Sequence, residues 1–566
     1  MEKRIVECVP NFSEGRDKAV IRQITSAIES SGGVKLLDVD PGEATNRTVV
    51  TFVGSPEAVI EAAFAGVKRA AELIDMRRHK GAHPRMGATD VLPLIPICGI
   101  TLAECAELAR KLAERIAAEL HVPTYCYEAA AFTPERRNLA VCRAGEYEAL
   151  PEKLAHKEAA PDFGARPFDD GVARTGATTV GARDFLIAVN FNLNTTSTRR
   201  ANAIAFDVRE KGRPVREGNP VTGKVVKDAA GNPVMQPGTL PATKAIGWFI
   251  EEYGIAQVSM NITDIATTPL HVAFDEVCRK ADARGVRVTG TEIVGLVPKR
   301  ALIEAGKYFL RKQRRSTGIA EQEIVRIAVR SMGLDDLKPF DPAEKVIEYL
   351  LEAEDKQKRL IDMTCKGFAE ETASESPAPG GGSVAAYMGA LGAALGTMVA
   401  NLSSHKAGWD DRWEEFSDWA ERGQAVLAEL LHLVDEDTAA FNRIMAVFAM
   451  PKSTDEERTA RAVALQEATL YATEVPLRTM KAASRVFEIV RAMASEGNPN
   501  SVSDAGVGAL AARSAVLGAC LNVKINAAGL KDRAVADALI AEADALAAEA
   551  VRLEAEVLQI VESKIG

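Results

Sequence analysis

Residues 4–12 read RIVECVPNF and residues 185–191 read FLIAVNF; both are apolar runs that close on Asn-Phe, at Asn11-Phe12 and at Asn190-Phe191. Such runs read as strands, and hydrophobic periodicity extends the pattern outward from each. After the first come a helix over about 16–30, strands at 34–39 and 48–54, a helix over 56–74 and a strand at 90–96. That order is β-α-β-β-α-β, followed by a helix near 101–119 and a short strand at 123–126. After the second come a helix over 197–211, the strand pair KAIGWFI and AQVSMNI, a helix over 268–283 and the strand VRVTGTEIVGL. The recurrence predicts an α/β half built from two ferredoxin-like subdomains, with a cleft between them for a ligand.

Between the two units, PDFGARPFDDGVARTGATTVGAR (161–183) is rich in Gly, Pro and Asp and predicts no regular element. It reads as a linker or as a loop over a ligand, and its arginines at 166, 174 and 183 suit an anion. The piece 213–243, with two Gly-Asn-Pro-Val copies, predicts a projecting hairpin without a catalytic part. Beyond Gly333, DDLKPFDP reads as a linker, and 343–371, 383–403, 410–447, 454–495, 504–528 and 534–565 all read as helical. The expected division is 1–184, 185–333, a linker at 334–341, and an all-α bundle over 342–566. Its small residues, as in AAYMGALGAALG, let helices approach closely.

At 566 residues the chain exceeds one core, so roughly two to four domains are expected. A net charge of −10 argues against nucleic acid or an anionic membrane as the main partner. Eight cysteines without a CxxC pair fit a reduced cytoplasm. MEKRIVECVPNF has no signal core, and the apolar run at 384–400, broken by glycines, is read as too short for a span, so a soluble cytoplasmic protein is expected.

Chemistry concentrates in RRHKGAHPRMGATDV (77–91). His83 precedes Pro84 and lies between Gly81 and Gly87, so the backbone can bring its imidazole close to a ligand as a general base. The alternative is a structural histidine bonded to its own loop. His79 and His83 have the spacing of a metal pair, but that needs a helix, which Gly81 and Pro84 oppose, so no metal is expected. In PAPGGGSVAA, Ser383 reads as an N-cap, and the N–H groups of Gly381, Gly382 and Ser383 could hold an anion or ring edge, or only cap the helix. Asp437 falls within the apolar stripe Leu430, Val434, Phe441, Ile444 and Phe448, whereas Asp435 and Glu436 turn away. A desolvated carboxyl there suits proton transfer, or is tied to a backbone group. Asn522 and Asn526 share a helix face and could read a heterocycle or bond across helices.

VECVPNFSEG, LLDVD, NRTVVTFVG, DMRRHKGAHPRMGATDV, RAGEYEALP, GARDFLIAVN, EIVGLVP, APGGGSVAA and NVKIN run in family order, and on them the chain resembles the formimidoyltransferase-cyclodeaminases of histidine breakdown. The resemblance implies formimino transfer from N-formimino-L-glutamate to N5 of tetrahydrofolate, then closure to 5,10-methenyltetrahydrofolate with loss of ammonia. It also implies a polyglutamylated folate co-substrate, no metal, and a homo-oligomer. The family's transferase base matches His83, its LLDVD aspartate Asp40, its PNFSEG asparagine Asn11, and its cyclodeaminase acid Asp437. Arg85, beside the base, is expected to meet substrate. The folate loop falls on Gly164, Ala165, Arg166, Pro167, Phe168, Asp169, Asp170, Gly171, Val172, Ala173, Arg174 and Thr175. Two departures stand out: the insert at 213–243 is long, and Arg166 and the Asp169-Asp170 pair are the loop's own. Alternatives are a formylglutamate donor, a methenyltetrahydrofolate cyclohydrolase-like helical half, or a folate-binding scaffold without turnover.

Overall fold

The computed structural model describes residues 4–43, 46–81, 85–219, 222–352 and 359–565. The chain forms two compact units, Met1–Ala301 with Gly333–Glu352, and Leu302–Met332 with Ala353–Gly566.

In the first unit, β1 (Ile5–Cys8) and β2 (Asn11–Phe12) are two parts of one strand, interrupted at Pro10, which has no N–H to donate. α1 (Lys18–Glu29), β3 (Val34–Gly42), β4 (Arg47–Gly54), α2 (Pro56–Leu73) and β5 (Thr89–Cys98) complete the expected β-α-β-β-α-β. Local chemistry starts the helices: Asp17 caps α1, and Ser55 with Pro56 opens α2. The strands lie in the order β3-β4-β1/β2-β5, which is ferredoxin-like, and Phe12, Phe52 and Leu92 are buried in the core on one face.

α3 (Leu102–Leu120), β6 (Thr124–Glu128), α4 (Leu139–Cys142), α5 (Leu150–Ala155), α6 (Asp170–Thr175) and β7 (Thr178–Ala182) follow. β7 lies between β5 and β6, parallel to both, and is buried throughout. Segment 161–183, expected to hold no regular element, therefore contains a helix and an interior strand. The glycine that reads as a breaker has a packing reason: a Cβ on Gly181 would lie 2.5 Å from the Tyr127 ring. Flanking Thr and Val residues supply the strand preference.

The second half of the unit repeats the plan with β8 (Ile187–Leu193), α7 (Thr198–Val208), β9 (Arg213–Pro214), β10 (Met235–Gln236), β11 (Thr243–Ile250), β12 (Ile255–Ile262), α8 (Leu270–Asp282) and β13 (Val288–Val294). Its antiparallel order, β11-β12-β8-β13, is again ferredoxin-like. The insert forms the β9–β10 pair with bridges at Arg216–Val225 and Lys227–Pro233, and Arg213 anchors it to Asp207; Pro220 and Val221 lie outside the described residues.

α9 (Lys299–Lys312) and α10 (Glu321–Met332) went unread in the sequence, and 302–332 groups with the helical unit: Thr317 N donates to Ser417 Oγ at 3.0 Å and Asn401 Nδ2 to Gly318 O at 2.8 Å. The expected linker 334–341 is held in the first unit, where Asp336 accepts from Asn192 and from Thr289, both at 3.1 Å. α11 (Pro342–Lys345) and α12 (Ile347–Glu352) continue that return. The expected helix at 343–371 is thus in pieces; 353–358 lies outside the described residues, and α13 (Cys365–Thr372) follows.

The helical unit is built on α14 (Gly381–Ser404), α15 (Trp413–Phe448), α16 (Asp455–Glu496), α17 (Val502–Ala527) and α18 (Arg533–Ile565). Small residues set the spacing: a Cβ on Gly392 of α14 would lie 2.8 Å from the carbonyl oxygen of Gly508 in α17. The run at 384–400 reads as too short for a span, yet Gly381–Ser404 and Pro499–Ala527 are each long and apolar enough to cross a membrane. Their windows are 61% and 50% buried inside the protein, so their apolarity serves helix packing.

Candidate active sites

The first site grows from Asp90 at the start of β5. Its side chain is fully buried, and a buried carboxylate needs partners. Oδ2 accepts from Arg47 Nη1 at 2.6 Å and Arg143 Nη1 at 2.8 Å, and Oδ1 from the Met86 N–H at 2.9 Å. Arg47 Nε donates in turn to Asn11 Oδ1 at 2.9 Å. Asp90 therefore ties the end of the 77–91 loop to the floor of the sheet. Burial is the main pull on the Arg47 pKa, which it lowers; Asp90 opposes this and the nearby Arg143 charge adds to it.

Asn11 and Asp40 lie on one rung of that sheet, since Val49 pairs with both. Their strands are two apart, roughly 10 Å at the usual spacing. Asp40 is exposed beside Asp38, whose carboxyl is raised by burial and then by the Asp40 charge. His83, with Ala82 and Pro84, lies outside the described residues.

His79 is 9% exposed and bonded on both ring nitrogens: Nε2–H donates to the Asn46 carbonyl at 2.8 Å, and Nδ1 accepts from Arg85 Nε at 3.3 Å. Burial lowers its pKa, which favours the neutral ring. Asn46 also accepts from Gly15 N and donates to Lys80 O, so His79 and Asn46 hold the loop's first half. Arg85 makes a two-pronged pair with Glu148, at 2.7 and 2.9 Å, and reaches Glu146 at 3.3 Å. Lys80, Gly81, Arg85, Gly145, Glu146 and Glu148 line an open cleft of about 440 Å³.

The 164–175 loop is sewn to the far side of the same loop. Ala88 N donates to Thr175 O, Met76 N to Arg174 O, and Tyr147 Oη to Ala173 O; Phe168 meets the Tyr147 ring edge-on at 6.3 Å. Gly176, at φ +67°, permits the closest approach, because a Cβ there would lie 2.2 Å from Met86 O. Within the loop, Asp169 caps α6 and pairs with Arg166, while Asp170 pairs with Arg77 at 2.7 Å. The structure thus gathers Asn11, Arg85 and the 164–175 loop around the 77–91 loop. Sequence reasoning passed over Asp90, Arg47, Arg143 and Tyr147, although an acid ahead of the apolar run VLPLI signals a buried partner for arginine.

The second site lies at the start of α14. Gly380 is the N-cap, and Ser383, read from sequence as the cap, stands inside the first turn. Its hydroxyl is therefore available to Asp437 on α15, donating to Oδ2 at 3.0 Å. A Cβ on Gly382 would lie 2.1 Å from Asp437 Oδ1, so only glycine admits the carboxyl here. Burial raises the Asp437 pKa, opposed by hydrogen bonds from the Ser383 hydroxyl and backbone. The apolar stripe is buried over part of its length: Leu430 and Val434 are fully buried, whereas Phe441 and Phe448 are 37% and 52% exposed, and the first turn of α14 packs directly on the carboxyl. Asp435 does not turn away either; it accepts the Leu360 N–H at 2.6 Å, and burial raises its pKa. Glu436 is within 3.6 Å of Arg478.

From α17, the Asn522 amide comes within 3.6 Å of a Cβ position on Gly381 and donates to Gly518 O. Asn526 bonds across helices, to Ala472 O of α16 at 2.7 Å. Gly381, Gly382, Ser383, Asp437 and Asn522 therefore converge, and Asn526 braces α16.

Family models described as the N-terminal subdomain of the formiminotransferase domain, the formiminotransferase domain, and formiminotransferase-cyclodeaminase match residues 5–183, 188–352 and 364–545. The chain is 44% identical to a formimidoyltransferase-cyclodeaminase of Mus musculus, over 94% of this chain and 93% of that one. It is 42% identical to a glutamate formimidoyltransferase of Streptococcus pyogenes serotype M1, over 54% of this chain and 93% of that one. It is 39% identical to a methenyltetrahydrofolate cyclohydrolase of Methylorubrum extorquens, over 36% of this chain and 97% of that one.

Proposed function

We propose a division of chemistry between the two sites of a chain that belongs to the formimidoyltransferase-cyclodeaminase family. It is a bifunctional folate enzyme, a glutamate formimidoyltransferase and a formimidoyltetrahydrofolate cyclodeaminase. In the first reaction N5 of tetrahydrofolate attacks the amidine carbon of formiminoglutamate. His83 takes the N5 proton and returns it to the departing glutamate amine, a double role suited to a near-neutral imidazole. Asp40 orients it, Asn11 and Arg85 meet substrate, and the 164–175 loop carries the folate. In the second reaction N10 attacks the same carbon, and Asp437 supplies the proton with which ammonia leaves.

The observation that carries the second assignment is the Asp437 carboxyl, seated on Gly382 and Ser383 with its pKa raised by burial. A raised carboxyl keeps a larger protonated share near neutral pH, as a proton donor requires. Gly381 and Asn522 bind the ring at its edge. Similarity of the helical half to a cyclohydrolase favours a second reading, hydrolysis of methenyltetrahydrofolate. One assay separates the two: with formiminoglutamate and tetrahydrofolate, methenyltetrahydrofolate accumulates with one ammonia released per turnover. Accumulation of 5-formiminotetrahydrofolate without ammonia would reject the closing reaction.

The donor places the enzyme in histidine breakdown, and the folate is polyglutamylated in use. The eight free cysteines support a cytoplasmic setting. Leu521 and Ile525, 70% and 73% exposed one turn apart on α17, support a homo-oligomer that covers them. Sedimentation as a strict monomer would contradict that assembly.

A further inference from the structure

Arg143 is a part-buried arginine with one edge of its guanidinium unused among the described residues. Nη1 bonds Asp90, while Nε is buried without a partner and Nη2 makes no hydrogen bond among the described residues. The Nε and Nη2 edge is the one with which guanidinium grips a carboxylate two-pronged. This chain uses it so elsewhere: Arg77 on Asp75, Arg279 on Glu276 and Arg412 on Glu415 all pair through Nε and Nη2. The local charge points the same way. Arg47 and Arg143, 11% and 18% exposed, both reach Oδ2 of Asp90, which sets two guanidinium groups beside one carboxylate oxygen. Asn11, which meets substrate in the reading above, is hydrogen-bonded to Arg47.

We propose that Arg143, backed by Arg47 on Asp90, binds a carboxylate of a glutamyl group during formimino transfer. This rests on the transferase reading and deepens it. Asp90 holds Nη1 and so turns the opposite edge of the guanidinium toward the ligand. The glutamyl group has two sources, the amino-acid donor and the tail of the folate. Arg85 is less suited, because Glu148 already occupies it in two-pronged fashion.

The test uses the full-length protein with Arg143→Gln and Arg143→Lys. Loss of a charge-assisted hydrogen bond should raise one KM by roughly 10- to 100-fold, with Lys between Gln and the parent. A rise confined to formiminoglutamate assigns the donor, and one confined to tetrahydrofolate assigns the tail; either supports a carboxylate site. A second readout is thermal stabilisation by L-glutamate and by its two monoamides. The parent should lose its response to one monoamide, and Arg143→Gln should respond equally to all three. Closure of supplied 5-formiminotetrahydrofolate should be unchanged, which checks the fold of the other unit. If the parent fails to transfer, the transferase reading fails. If the parent transfers and both variants keep both KM values and the glutamate response, the proposal alone is overturned. A fall in kcat alone, with binding unaltered, would also overturn it.

Discussion

In the proposed mechanism His83 and Asp437 serve one proton transfer each, in separate units, so their substitutions should have opposite signatures. His83→Ala should lower formimino transfer by roughly 10²- to 10⁴-fold and leave closure of supplied 5-formiminotetrahydrofolate at the parent rate. Near-parent transfer would remove His83 from the mechanism. Asp437→Asn should stop ammonia release while 5-formiminotetrahydrofolate builds up, since the amide still fits against Gly382 and Ser383 but carries no acidic proton. Asp435 is no inert control, because it holds the Leu360 N–H; exposed Glu414, on the same helix, is the better one. The pH dependence follows in sign. With Asp437 raised by burial, its active protonated form is lost as pH rises through that raised value, so closure should slow toward alkaline pH. The folded pKa exceeds the unfolded one, so the stability contribution is full below the unfolded value and declines over the same rise. A closing rate that climbs with pH across that window would count against a proton-donating Asp437.

At the scale of elements, the strands and helices legible in the sequence were those whose period matched their burial. α14 to α18 were read nearly to their ends, because each is long and its small and apolar residues recur at helical spacing. β7 was missed because its Gly181 looks like a breaker, and only the position of the Tyr127 ring shows why glycine stands there. Ser383 was misplaced by one turn for a related reason: a helix can begin on uncapped glycines when a carboxylate from another helix reaches the same turn. Asp437 is legible from its stripe, which is fully buried at Leu430 and Val434 but exposed at Phe441 and Phe448; the close contact with Gly382 of α14 is not legible. The β7 account is testable. Gly181→Ala puts a methyl group within 2.5–2.8 Å of the Tyr127 ring and carbonyl oxygen, and a buried backbone cannot retreat far. The first unit should lose about 1–3 kcal/mol. Calorimetry should show its transition shifted down and that of the helical unit unmoved; an unchanged first transition would mean the sheet adjusts at no cost.

For the whole molecule, the two activities are separable only if the cut respects which segments each unit holds. A composition change near residue 333 suggests a cut there, yet 333–352 belongs to the first unit. Val297 N donates to Lys345 O at 3.0 Å, Lys299 N to Glu348 Oε2 at 2.7 Å, and Lys35 Nζ to Leu350 O at 2.6 Å. Sequence could not reveal this return, because a short, polar, proline-containing stretch reads the same whether it hangs between domains or lies against a sheet. A chain ending at 352 should therefore keep formimino transfer with a KM for tetrahydrofolate near the parent's. One ending at 333 loses these contacts together with the two hydrogen bonds to Asp336, and leaves the Lys299 N–H at the start of α9 without its Glu348 acceptor. It should unfold at lower denaturant concentration, with transfer falling in step with the folded fraction. Both truncations sever 302–332 from the rest of the helical unit, so any effect of that exposed surface is common to the two and cancels in the comparison. Equal midpoints and equal transfer rates for the two chains would show that the strap is dispensable.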